Sequence, residues 1–234
     1  MTRIVRLTTA GHGHLGSAVR ERIEELVLTG AIPAGERVNE VKLSMRLDVS
    51  RGPVREALRA LERAGLLVAI PNRGFFVRKV ALEDALDLYD VRAGLARVAG
   101  KLVARRISSA HLAKLRATHR RMARACADRD VKAYYAANLA FHSQLIEYAG
   151  NARLTAMSEA VRNELQLYLR DAVGGPGQLK DSHREHDAIV KAITDGNAEG
   201  AGAAFEAHVL AGKQRMLEHV GSSGRAIAGA RLAP

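Results

Sequence analysis

Asn138 and His142 stand four residues apart, and His186 and His208 follow farther along the chain. Residues at i and i+4 of a helix share a face, so the first pair can turn an amide oxygen and an imidazole nitrogen toward one point. Two more imidazoles from other segments would complete a donor set suited to a borderline divalent metal ion, Zn²⁺ or Ni²⁺. Four protein ligands leave open positions on an ion that takes five or six, and a carboxylate or hydroxy acid could fill them. The chain has nine His, so the same residues also fit imidazoles satisfied inside a helical core.

A second set is cationic. Arg51, Arg55 and Arg59 recur every four residues and line one side of a helix, while Val54, Leu58 and Leu61 line another. A helix with one buried side and one guanidinium side fits the major groove of DNA, where Arg can bind guanine O6 and N7. From Lys42 to Lys79 there are nine Lys or Arg against three acids. Arg46 and the compact basic turn Asn72-Arg73-Gly74 extend the same surface toward a phosphate backbone. The competing reading is a solvated face neutralised by Glu56 and Glu62. The formal net charge of +11 favours a polyanionic partner, although an arginine-rich soluble enzyme has the same balance.

The elements that must hold these residues follow from periodicity and breakers. A helix is expected from Ser17 to Leu28, ended by Gly30 and a Pro33/Gly35 turn. Asn39 is a good N-cap for a second short helix, and Asp48-Val49 is a break. A third helix starts at Ser50 with Pro53 in its first turn, where a missing N–H costs nothing, and stops at Gly65. Leu66–Ile70 and Phe75–Val77 flank Pro71-Asn72-Arg73-Gly74 and read as a hairpin. Three helices and a hairpin make a winged helix-turn-helix. Beyond it, helices are expected at about 82–106, 109–127, 131–149, 152–172, 179–194 and 197–219. The breaks between them include Gly150-Asn151, Gly174 to Gly177 and Gly196-Asn197. The fold class is mainly α. The expected plan is a flexible arm at 1–16, a DNA-binding domain at 17–78, an all-α domain at 79–220 and a disordered tail at 221–234.

Aromatics make up 4% of the 234 residues and Trp is missing, so the core must come from Leu, Ala, Val and Ile, which suits helices. The single Cys126 rules out an intrachain disulfide framework and fits a reducing cytoplasm. No apolar run approaches the ~20 residues that cross a bilayer, and the N-terminus lacks the apolar stretch of a secretory signal. A cytoplasmic location with no membrane partner is expected. Cys126 reads as a small buried residue. His111, His119 and His219 read as surface or cap residues, and Tyr134, Tyr135 and Tyr168 as core or interface.

The order Gly35-Glu36-Arg37-Val38-Asn39-Glu40, Val49-Ser50-Arg51-Gly52-Pro53-Val54-Arg55-Glu56-Ala57-Leu58, Leu61-Glu62, Gly65-Leu66 and Pro71-Asn72-Arg73-Gly74 closely resembles the GntR family of bacterial transcription regulators. The resemblance implies that Arg37, Arg51 and Arg55 contact DNA and that Gly74 sits at the wing tip. Gly52 replaces a Thr or Ser that the family often carries. Asn138 through His142, Gly150-Asn151, Ser182 through His186, and Ala204 through His208 resemble the all-helical C-terminal domain of the FadR-like branch, the FCD type. Many members hold a divalent metal with Asp or Asn and three His. The matching positions are Asn138, His142, His186 and His208, and Asn in place of Asp removes one negative charge. His183 is a possible substitute ligand. Arg92, in Tyr89-Asp90-Val91-Arg92, stands where the family often places a pocket Arg, and it would clamp an effector carboxylate unless it pairs with Asp90 or a neighbouring helix.

These implications describe a homodimeric regulator, expected to be a repressor, on a double-stranded DNA operator and responsive to a small organic acid. It would not be an enzyme. Two alternatives remain: a metalloenzyme at the His/Asn site, for which no clear general base is at hand, and a regulator whose helical domain only dimerises.

Overall fold

The computed structural model describes residues 12–169 and 179–230, with side-chain surroundings given for 15–168 and 179–220. The order is α1 (His12–Leu28), α2 (Glu40–Leu47), α3 (Arg51–Arg63), β1 (Leu67–Ile70) and β2 (Gly74–Val77). Then follow α4 (Leu82–Arg106), α5 (Ser109–Ala127), α6 (Val131–Tyr148), α7 (Ala152–Leu169), α8 (Leu179–Thr194) and α9 (Ala198–Ala230). The chain divides into two compact units. Among the described residues, one comprises 12–85 with 159–169 and the other 86–158 with 179–230.

In the first unit, α1 begins at His12 rather than at Ser17. Leu15 packs against the same core as Val19 and Ile23, so the apolar stripe starts one turn earlier than the Gly-rich composition suggests. Asn39 caps α2 by accepting a hydrogen bond from the Lys42 amide at 2.9 Å. Asp48 then takes a left-handed conformation (φ 54°), which turns the chain between α2 and α3. Val54, Leu58 and Leu61 of α3 are fully buried with Ile23, Leu47 and Leu66. β1 and β2 pair antiparallel with Leu67 opposite Val77 and Ile70 opposite Gly74. The Arg37 stretch adds a third, short edge. Val38 donates to the Phe75 carbonyl at 2.8 Å, and Val77 donates to the Glu36 carbonyl at 3.0 Å.

The last turns of α7 also belong to this unit, which the expected boundary at residue 78 did not anticipate. Leu167 joins the core, Asn163 donates to the Ala64 carbonyl at 3.3 Å, and Glu164 pairs with Arg78 at 3.5 Å. Gly65 takes a left-handed backbone (φ 81°) that a side chain would strain, and the Glu164 side chain packs over it where a Cβ would stand.

The second unit is all helical among the described residues. Its core is built from Ala96, Val103, Leu115, Met122, Phe141, Leu145, Ile189 and Phe205. Ser108 and Asp130 cap α5 and α6 by accepting from the amides of His111 and Ala133. Gly150 (φ 62°) and Gly196 (φ 67°) turn the chain as their pairing with Asn suggested, and Asn151 and Asn197 then cap α7 and α9. Helix α9 continues to Ala230, past the Gly221 at which a tail was expected. Glycine in a helix costs only about 1 kcal/mol relative to Ala, and no Pro interrupts the run before residue 234. The expected break at 174–177 lies outside the described residues, as do residues 1–11 of the expected arm and 231–234 of the tail.

Candidate nucleic-acid interface and metal centre

Helix α3 separates its sides as its spacing required. Arg51 and Arg55 expose 67% and 62% of their side chains. The acid nearest both is Glu40 of α2, at 3.8 and 3.9 Å, rather than Glu56 or Glu62. At those distances the pairs are loose and hold the guanidinium groups outward without neutralising them tightly. Arg37, Arg46, Arg51, Arg55, Arg73 and Gly74 line one groove of about 910 Å³. Arg59 is exposed on the next turn of α3, and Ser50 and Pro53 lie at the head of the helix. Ser50 is the N-cap residue with extended backbone (ψ 165°), yet its side chain makes no capping hydrogen bond. The first amides of α3 therefore point outward without a side-chain acceptor and with no acid in the first turn, a place that suits an anion. At the wing, Gly74 has a backbone (φ 90°) that favours glycine, with the Arg37 guanidinium in ordinary contact range at 3.8 Å from where a Cβ would stand, and the Arg73 guanidinium lies 5.5 Å from the Phe76 ring centre.

In the second unit His142 of α6, His186 of α8 and His208 of α9 converge. Their Nε2 atoms meet, with His142 at 3.3 Å from His186 and 3.1 Å from His208. His186 is fully buried, and His142 and His208 are 9% and 7% exposed. The outer nitrogens fix the tautomers. His186 Nδ1 donates to the Ser182 carbonyl at 2.6 Å, and His208 Nδ1 donates to Glu185 at 2.7 Å. Both rings then present an Nε2 lone pair inward. Glu185 is itself gripped by Arg215 through two hydrogen bonds of 2.7 and 3.0 Å.

Burial lowers the proton affinity of all three rings. His186 falls to about 2, His142 lies well below the usual imidazole range, and at His208 the Glu185 hydrogen bond opposes the fall. Burial alone would raise the Glu185 carboxyl, but hydrogen bonds from His208 and Arg215 together with the Arg215 charge bring it to about 2. The rings are neutral and the carboxylate is ionised, which is the state a metal needs.

Whether a divalent ion suits these residues can be tested on their geometry. Bonds of about 2.0–2.1 Å put neighbouring donors roughly 2.9–3.4 Å apart, and the observed separations fall in that span. Three inward nitrogens share at most one proton from His142, whose Nδ1 is buried without a hydrogen-bond partner. Asn138, one turn before His142, has a buried Oδ1 that also lacks one. A cation would relieve the crowded lone pairs, and its arrival would account for the unpaired amide oxygen.

Arg92 sits over the Tyr89 ring at 5.9 Å, and its charge depresses both His142 and His208. Asp90 pairs with Lys213 at 2.6 Å. His183 does not substitute in the triad. It stacks on His119 at 4.8 Å, beside Asp187. His119, expected at the surface, is largely covered instead, because α5 packs along α8. Glu185 and Arg215 were not singled out from sequence as parts of the site, although Arg215 stands two turns after His208 on the same side of α9.

Residues 15–77 match the family described as bacterial regulatory proteins, gntR family, and residues 87–211 match the FCD domain. The second match alone spans more than half of the chain. The chain belongs to the GntR family. A probable D-xylose utilization operon transcriptional repressor from Paenarthrobacter nicotinovorans is 31% identical to this GntR chain over 209 residues, covering 89% of each. The Nta operon transcriptional regulator of Aminobacter aminovorans is 44% identical over 82 residues, 35% of this chain and 39% of that one. Among solved structures, E. coli McbR/YncC superposes with a TM-score of 0.72 at 20% identity over 88% of this chain and 98% of that one, a likeness of fold. The matched families and relatives are transcription regulators, not enzymes. Among the described residues no helix is long and apolar enough to cross a membrane.

Proposed function

We propose that this GntR regulator represses transcription from a double-stranded DNA operator and responds to a small organic acid held at a metal in the second unit. The reading places DNA contact in residues 17–78 and effector sensing in 79–220, in the cytoplasm. The observation that carries it is the meeting of three neutral Nε2 atoms at 3.1–3.3 Å beside the guanidinium groups of Arg92 and Arg215. With Asn138, His142, His186 and His208 as ligands, a bound Zn²⁺ or Ni²⁺ would supply Lewis-acidic positions for a carboxylate. Arg92 would orient that carboxylate through a two-pronged hydrogen bond. Arg215 acts through Glu185, which holds the His208 ring in its ligating orientation.

On DNA, Arg51, Arg55 and Arg59 would face base edges from α3. Arg37, Arg46 and Arg73 would meet phosphates, and Ser50, Pro53 and Gly74 would let the backbone approach them. Dimerisation follows from the pairing of two reading heads on a two-fold operator. Val91 and Val98, exposed two turns apart on α4, supply an apolar stripe for it.

Fluorescence anisotropy against the promoter beside the protein's own gene tests the reading. Arg51→Ala should cost about 1–3 kcal/mol of operator binding and little on scrambled DNA. Zinc with a series of small carboxylates should then weaken the wild-type complex. Equal binding to both DNAs would defeat the operator reading, and an operator complex indifferent to every acid would leave a regulator without an effector.

A further inference from the structure

The second unit holds another group of metal-type donors, on a neighbouring face of α8. His119 comes from α5, and His183 and Asp187 stand four residues apart on α8. His186 lies between them in sequence but turns to α6 and α9, and Phe141 packs between its ring and that of His119, at 5.0 and 6.2 Å, so the two groups occupy neighbouring faces of α8. His119 Nε2 lies 3.0 Å from Asp187 Oδ1, and His183 Nε2 lies 3.9 Å from the same oxygen. The three donors lie within 4.8 Å of one another.

Two features distinguish the group from an ordinary surface ion pair. The His119 Nε2 atom is buried, and the Asp187 carboxylate 3.0 Å away is the acceptor it faces. His183 Nδ1 is buried without a partner. The rings are stacked at 4.8 Å with planes 20° apart, and both turn Nε2 toward Asp187. The side chains of His119 and His183 are 16% and 17% exposed, whereas that of Asp187 is 56% exposed. The nitrogens are thus held in place, and the carboxylate side is open to solvent and to an arriving ion.

We propose that His119, His183 and Asp187 form a second cation site, distinct from the His142/His186/His208 centre, for a borderline divalent ion of the Zn²⁺ type. Two imidazoles and one carboxylate leave a fourth position for water, a pattern of open rather than closed coordination. The site would tie α5 to α8, and it would load and empty more readily than the enclosed centre because one ligand faces solvent.

Zinc uptake by the untagged full chain, measured by equilibrium dialysis and elemental analysis, tests this. Wild type should take up about two equivalents, and His119→Gln, Asp187→Asn and His142→Ala should each take up about one. Circular dichroism checks that each variant is folded, and the exposed Asp187→Asn change should leave the fold intact. Wild type binding one equivalent that only His142→Ala removes would overturn the second site and keep the inner one. One equivalent removed only by His119→Gln or Asp187→Asn would support the second site and sink the inner one. Two equivalents that survive both outer changes would also overturn the proposal.

Discussion

At the scale of single residues, the inner centre depends on charge as much as on spacing. Three neutral imidazoles and Asn138 give the ion no formal negative charge. The carboxylate that reaches the centre among the described residues is Glu185, through the His208 ring, and it is shared with Arg215. Restoring a carboxylate at position 138 should therefore strengthen binding. A unit charge a few ångströms from the ion contributes about 1 kcal/mol even at the dielectric of water and more when partly enclosed, so Asn138→Asp should tighten zinc at least about fivefold. Glu185→Gln should weaken it about 10–100-fold by loosening the His208 tautomer. Isothermal titration with competing chelators reads both changes. If Asn138→Asp left the affinity unchanged, the Asn138 side chain would lie outside the coordination sphere.

At the scale of elements, the helices were legible because their ends are written in residues with a backbone requirement. Gly150-Asn151 and Gly196-Asn197 terminate one helix and cap the next, and Asn39 starts α2. The side of α3 that carries Arg51 and Arg55 was legible for the same reason, since helical period alone separates it from Val54 and Leu58. What periodicity cannot carry is which distant elements meet. The joining of Asn163, Glu164 and Leu167 to the first unit depends on contacts nearly a hundred residues apart. The pairing of His119 with His183 depends on α5 lying along α8. One such meeting makes a sharp prediction. Gly100 of α4 faces Ala201 of α9 so closely that a Cβ would come 2.5 Å from the Ala201 carbonyl oxygen. Gly94, on the same helix, has nothing within 4 Å of its would-be Cβ. Gly100→Ala should cost about 1–3 kcal/mol by forcing the two backbones apart, while Gly94→Ala should stabilise by about 0.4–1 kcal/mol. Urea denaturation of the two variants separates these outcomes, and a harmless Gly100→Ala would mean that α4 and α9 are not in close approach.

At the scale of the whole molecule, the buried histidines make stability a function of pH. Their proton affinities in the folded chain lie below the ordinary imidazole value of 6.5, principally because burial penalises the charged ring. Below that value the unfolded chain binds more protons than the folded one, so stability must fall as pH falls. For chelated, metal-free protein the loss should begin near pH 6.5 and grow by about 1.4 kcal/mol per pH unit for each ring that stays neutral when folded. Glu185 adds to the loss only at more acid pH. Its carboxyl is depressed to about 2 from an ordinary 4.5, so its contribution is intact above 4.5 and disappears toward 2. Bound zinc should raise the urea midpoint at pH 7.5, because it selects the folded donor set by mass action. That increment should persist through the same window, since the folded rings are already neutral there and protons do not displace the ion. Urea midpoints at pH 7.5, 6.0 and 5.0, with chelator and with zinc, test both statements. A chelated protein equally stable at all three would show that the imidazoles carry protons in the folded state, and they could then not converge as free donors.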